Sequence, residues 1–341
     1  MFLRFAILGV GVAALTGTVL NILQPRLKPT SQRQAPPPAQ AAVLSPTESG
    51  DLVAAALRRG QRLTSIEQQI RQLAAERPGL TPSMFFLSMD SDDFVDINGS
   101  QVYPAASTIK SPILIAFFQD VDAGKIRLDE QLVMRPDLIA TEAGTMQYQK
   151  PGTKFSALET ATLMITISDN TATNMLIDRL GGAQALNQRF KSWGLNDTVI
   201  RNWLPDLQGT NTTSARDQAT MMYLISKGEL ISVRSRDRML DIMRRTVTDT
   251  LLPAGLAEGA VIAHKTGDIG TVIGDAGIID APNGQRYVAA IMVRRPFNDV
   301  RGRELVQQIS RLTYQTFSQP IPRPSSSPTG SSNVSPSPNQ R

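Results

Sequence analysis

The chain has 341 residues, 41% of them hydrophobic, with a net charge of +5, a single histidine and no cysteine. That is ample for a sizeable core, and it excludes zinc fingers, iron–sulfur clusters, cysteine nucleophiles and any histidine-rich metal site, because His264 stands alone. The positive balance suits anionic surfaces such as membrane headgroups or cell-wall polymer, whereas an aromatic content of 5% and the lack of a dense Lys/Arg block argue against nucleic acid.

Residues 1–26 contain an uncharged apolar run, 5–23, long enough to span a bilayer. No small-x-small site directly follows it, so an uncleaved membrane anchor is expected over a cleaved signal peptide. Arg26, Lys28 and Arg33 outnumber Arg4 on the other flank, and flanking charge leaves the orientation open. Residues 27–50, rich in Pro, Gln and Ala, read as a linker, and residues 319–341, rich in Pro and Ser, as a disordered tail. Between them, residues 51–318 are expected to form one compact unit of two lobes.

Within that unit, residues 51–76 are helical in pattern and end before Pro78-Gly79. Residues 84–88 and 94–97 read as strands around an Asp/Ser turn. Ser111-Pro-Ile-Leu-Ile-Ala-Phe-Phe118 reads as a buried helix, with Pro112 a source of kinking. Ser156-x-x-Glu159 and Ser214-x-x-Asp217 are capping-box signatures, and residues 171–180 form a helix stopped by Gly181-Gly182. Residues 234–245 continue the helical section. Strand-like runs then cover 260–264, 271–279 and 286–293, with Asn283-Gly284 as a hairpin turn, and an amphipathic helix covers 300–317. Strands at both ends around a helical middle predict an α+β fold, an antiparallel sheet of about five strands flanked by helices, plus a mainly helical lobe.

Three short motifs carry chemistry. In Tyr103-Pro-Ala-Ala-Ser-Thr-Ile-Lys110, Ser107 and Lys110 lie one helical turn apart, so the amine reaches the hydroxyl. A lysine in a drier pocket, or near a second cation, is neutral enough to serve as base for a serine nucleophile. Ser168-Asp-Asn170 falls at a junction between two helices and Lys265-Thr-Gly267 at a strand end. Each motif alone is commonplace, a helix cap or an ordinary strand end. Together and in this order they are the signature of class A β-lactamases and penicillin-binding proteins, and residues 51–318 resemble that group of serine hydrolases.

The resemblance implies that Ser107 forms an acyl-enzyme with Lys110 as base, that Ser168 relays a proton to the leaving nitrogen, and that Asn170 binds the substrate's side-chain amide. It implies that Lys265 and Thr266 hold the substrate carboxylate, and that the backbone N–H groups of Ser107 and Asp268 form the oxyanion hole. No cofactor or metal is implied. The substrate would be a β-lactam or a cell-wall peptide, and the protein a monomer with its catalytic domain outside the cytoplasm. Alternatives are a peptidase or esterase using the same serine, or a protein that binds such ligands without turnover. Two departures stand out. The loop Ile200-Arg-Asn-Trp-Leu-Pro-Asp-Leu-Gln-Gly-Thr-Asn-Thr213 has no glutamate to activate a deacylating water; in the register set by Trp203-x-Pro205, Leu204 stands in its place and Gln208 replaces the usual asparagine. Asp206 is the remaining carboxylate there. Asp268 replaces a small neutral residue, and any of Arg294, Arg295, Arg301 and Arg303 offers a further cation for a substrate carboxylate.

Overall fold

The computed structural model describes residues 46–319. The expected anchor in residues 1–26, most of the linker and nearly all of the tail lie outside the described residues. Among the described residues, no helix is long and apolar enough to cross a membrane.

The opening helical stretch is two helices, α1 (Pro46–Arg59) and α2 (Thr64–Ala75). The break has a local cause. At Gly60 the chain runs against the backbone of Asp92, where an added Cβ would lie 1.8 Å from a carbonyl oxygen, and Leu63 N then donates to Phe94 O at 2.8 Å. Strands β1 (Thr81–Ser88) and β2 (Phe94–Ile97) follow, then the short β3 (Tyr103–Pro104). A 3₁₀ turn, Ala106–Ile109, leads into α3 (Lys110–Asp122). Pro112 therefore sits in the first turn of the α-helix proper, where its missing N–H costs little, and the expected kink is not required.

The helical lobe contains β4 (Gln131–Val133) paired with β5 (Lys154–Ser156), then α4 (Ala157–Thr166), α5 (Asn170–Arg179), α6 (Gly182–Ser192), β6 (Thr212–Thr213), α7 (Ala215–Lys227) and α8 (Val233–Arg244). Both capping signatures act as expected: Ser156 Oγ accepts from Glu159 N and Ser214 Oγ from Asp217 N, each at 3.1 Å. Helix α6 is an addition to the sequence reading, its buried Leu186 and Phe190 one turn apart. The chain closes with β7 (Val261–Asp268), β8 (Val272–Asp280), β9 (Arg286–Arg294) and α9 (Arg301–Phe317).

The large sheet has the order β2-β1-β9-β8-β7, antiparallel throughout, so the two ends of the domain pair at its centre, Phe85 opposite Ala290. Its middle strand shows how one sequence serves two cores. In β9, Tyr287, Ala289, Ile291 and Val293 pack with Leu305, Val306 and Ile309 of α9, while Val288, Ala290 and Met292 pack toward the helical lobe. Alternation along a strand sends neighbours to opposite faces, which is why β9 is apolar at nearly every position. Strand β7 is left as an edge, and the nucleophile turn packs against it.

Candidate active site

Ala106 takes φ +46 and Ser168 φ +59, a left-handed backbone unusual for residues with a Cβ. Both distortions aim hydroxyls at one point: Ser168 Oγ lies 2.9 Å from Ser107 Oγ. Lys110 Nζ completes the group, 3.1 Å from Ser107 Oγ, 3.0 Å from Ser168 Oγ, 2.7 Å from Ser168 O and 2.8 Å from Asn170 Oδ1. Two of these partners, a carbonyl and an amide oxygen, only accept; the two hydroxyls also donate. A neutral amine has two hydrogens for the first pair and a lone pair for a hydroxyl. The lysine is fully buried, and burial, with the nearby Lys265 ammonium second, pushes its pKa well below the ordinary value.

Lys265 is itself buried and held down to about 8, chiefly by desolvation. Its Nζ donates to Thr266 O at 2.9 Å, beneath β7. Gly267 permits the close approach of this strand to the serine: a Cβ there would lie 3.0 Å from Ser107 N. The N–H of Ile269 is used within the hairpin, on Val272 O at 3.1 Å, so by strand alternation the Asp268 N–H leaves the edge of β7 on the serine side.

The chain is matched in sequence and fold by known proteins. The Beta-lactamase enzyme family description covers residues 65–317. The chain belongs to the β-lactamase enzyme family. It is a β-lactamase-like serine hydrolase with the α+β fold of class A members. It is 24% identical over 243 residues to β-lactamase VEB-1 of Pseudomonas aeruginosa, covering 66% of this chain and 81% of that protein. The solved structure of PBP-A is 65% identical with a TM-score of 0.75, covering 76% of this chain and 97% of that one. A leucine-to-glutamate mutant of PBP-A, solved as an acyl-enzyme complex with penicillin G, is 64% identical with the same TM-score, covering 75% and 97%.

Family membership gives the remaining site residues a frame. A cleft of about 430 Å³ runs past Ser107 between Asn170, Leu204 and Asp268, and a smaller recess beside it is lined by Ser168, Thr266, Thr250 and Arg303. Leu204 is buried in the loop wall, its N and O bonded to the Asn174 side chain at 3.0 and 2.8 Å. Asp206 spends both oxygens inside its own loop, on Thr210 Oγ1 at 2.8 Å and Asn211 N at 2.6 Å, and Gln208 is exposed.

Of the four candidate arginines, Arg295 is paired with Asp268 and Arg301 with Asp299, and Arg294 lies over the Tyr103 ring at 4.7 Å. Arg303 makes no ion pair among the described residues and faces the recess beside Thr266. Residues 141–146, the opposite wall, carry no motif, because their role is played by backbone: Thr141 O accepts from Asn170 Nδ2 at 2.7 Å and Ala143 O from Asn170 N at 3.1 Å. The visible signal is Gly144, where a Cβ would lie 2.1 Å from the Asp169 carboxylate.

Proposed function

We propose that this hydrolase forms a long-lived acyl-enzyme at Ser107 with β-lactam or peptidoglycan-like amides. The observation that carries the reading is Ser107 Oγ in simultaneous contact with the buried Lys110 amine and the Ser168 hydroxyl. In the reaction, Ser107 Oγ bonds to the amide carbonyl carbon as Lys110 takes its proton. The C–N bond then breaks, and the proton passes through Ser168 to the leaving nitrogen, so atoms and charge balance. Asp268 N–H and Ser107 N–H receive the oxyanion. Thr266, with Arg303 across the recess, receives the substrate carboxylate, while Lys265 acts from below by its charge. Asn170 is held by Lys110 and Thr141 O at the edge of the cleft, where it meets the substrate's side-chain amide.

The loop supports slow deacylation. Leu204 offers no proton acceptor, and Asp206 is committed to Thr210 and Asn211. The acyl-enzyme that the leucine-to-glutamate mutant of PBP-A forms with penicillin G supports the acylation step here. The reading also places the catalytic domain outside the cytoplasm, tethered through residues 1–26, where such substrates are found; protease accessibility on intact cells tests that placement.

The direct test is intact mass after mixing the protein with penicillin G, with Ser107→Ala alongside. The expected result is one persistent adduct on the native chain and none on the variant. Rapid loss of the adduct with product accumulation would show efficient β-lactamase turnover instead, and a folded native chain that gains no mass would overturn the acyl-enzyme reading.

A further inference from the structure

A carboxylate beside an oxyanion hole opposes the charge that the hole must receive, yet Asp268 lines the cleft together with Ser107, its side chain 45% exposed. The local backbone gives the residue a purpose. Asp268 Oδ1 accepts from Gly270 N at 2.8 Å, an Asx turn that bends β7 toward β8 where Gly270 takes φ +83. The charge this introduces is met by Arg295, whose Nη2 donates to Asp268 Oδ1 at 2.5 Å.

Arg295 is not an ordinary surface arginine, since its side chain is 3% exposed. Its Nε donates to Gly270 O at 2.9 Å and its Nη1 to Asp299 O at 3.2 Å, tying the β7–β8 turn to the segment that enters α9. Gly302 makes room for its stem, because a Cβ there would meet Arg295 Cδ at 2.8 Å. A guanidinium so enclosed needs a counter-charge, and Asp268 is its carboxylate partner among the described residues.

We propose that Arg295 is a positioning residue for acylation: it neutralises Asp268 and pins the β7–β8 turn, so the Asp268 N–H meets the developing oxyanion without an opposing charge. This inference rests on the acyl-enzyme reading at Ser107.

The test uses the full chain and measures the rate of acylation by penicillin G, with thermal unfolding of every variant in parallel. Arg295→Gln keeps a donor and removes the charge; Arg295→Lys keeps the charge and removes the fork. The expected result is a rate about 100-fold lower for Arg295→Gln, a loss of two decades in the barrier relation. Arg295→Lys is expected to stay within about tenfold of native. The double variant Asp268→Asn/Arg295→Gln, which carries neither charge, is expected to recover to within about tenfold of native. A purely structural Arg295 gives no such recovery, so a double variant as slow as Arg295→Gln overturns the proposal. If Arg295→Gln does not fold, the double variant decides in the same way, by its rate against native. A native chain that forms no adduct overturns the acyl-enzyme reading itself, an outcome separate from slow variants of an active enzyme.

Discussion

Lys110 and Lys265 are both buried amine-bearing side chains on one site, and each has its pKa lowered by the lack of solvent around it. The consequence is a pH profile with assignable limbs. As pH rises from the acid side, Lys110 loses its proton and becomes able to accept one from Ser107, so acylation increases. Above about 8, Lys265 loses its charge and with it the attraction for an anionic substrate, so acylation is expected to fall. Lys265→Arg should keep the cation and carry the alkaline limb upward. Acylation rates with penicillin G between pH 5 and 10 check this, and a native profile flat through pH 9 would remove Lys265's charge from the account. Leu204 concerns the second half-reaction. Leu204→Glu puts a carboxylate on the wall that lines the cleft, and adduct lifetime is expected to shorten at least tenfold, a change of about 1.4 kcal/mol in the barrier. An unchanged lifetime would mean that the loop, held through Asn174, points the new carboxylate away from the ester.

At the scale of elements, the start of α5 is where the fold sets the chemistry. Asp169 caps it, with Oδ1 accepting from Ala172 N at 2.9 Å, while Oδ2 accepts from Thr145 N at 2.7 Å and Met146 N at 2.9 Å. One buried carboxylate thus joins the two walls of the cleft, next in sequence to the left-handed Ser168. Asp169→Ala leaves three N–H groups without their acceptor, at about 1–3 kcal/mol each where buried, and is expected to lower stability by about 3–6 kcal/mol. Chemical denaturation measures it, and a loss under 1 kcal/mol would show that water or a local shift replaces the carboxylate. Much of this was legible beforehand. Ser107, Lys110, Ser168 and Asn170 meet as their motifs imply, and the five-stranded sheet follows from short apolar runs at both ends. What was not legible is carried by backbone or by long-range pairing. The carbonyls of Thr141 and Ala143 have no residue type to announce them, and the break at Gly60 depends on Asp92, distant in sequence. The choice among four arginines depends on which find carboxylates, and only packing decides that: Asp268 takes Arg295, Asp299 takes Arg301, and Arg303 is left to the recess.

For the molecule as a whole, the site is a stability burden that titrates. Lys265 has an ordinary value of 10.5 and is held to about 8 in the folded protein, so between those limits the unfolded chain binds more protons and stability rises with pH. Asp217, in the first turn of α7, is raised from 3.8 to about 6 by burial and works in the other window: the folded state binds more protons, and stability falls as pH rises from 3.8 to about 6. Near neutrality both groups are buried in their charged forms, and Lys110, also lowered, adds to the cost. At 1.36 kcal/mol per pKa unit, Lys265 alone costs on the order of 3 kcal/mol below pH 8. Lys265→Met keeps the stem's packing and removes the charge. It is expected to raise the melting temperature at pH 7 by about 5 °C, given about 2–4 °C per kcal/mol for a domain of this size and some loss from the Thr266 contact. The same variant is expected to acylate far more slowly, as a site that holds charge away from water trades stability for reactivity. The decisive feature is the pH dependence: near pH 10, where native Lys265 is already neutral in the folded state, the gap between variant and native should shrink to under half its value at pH 7. A gap that stays constant across that range would mean that better packing, and not relief of a buried charge, accounts for the added stability.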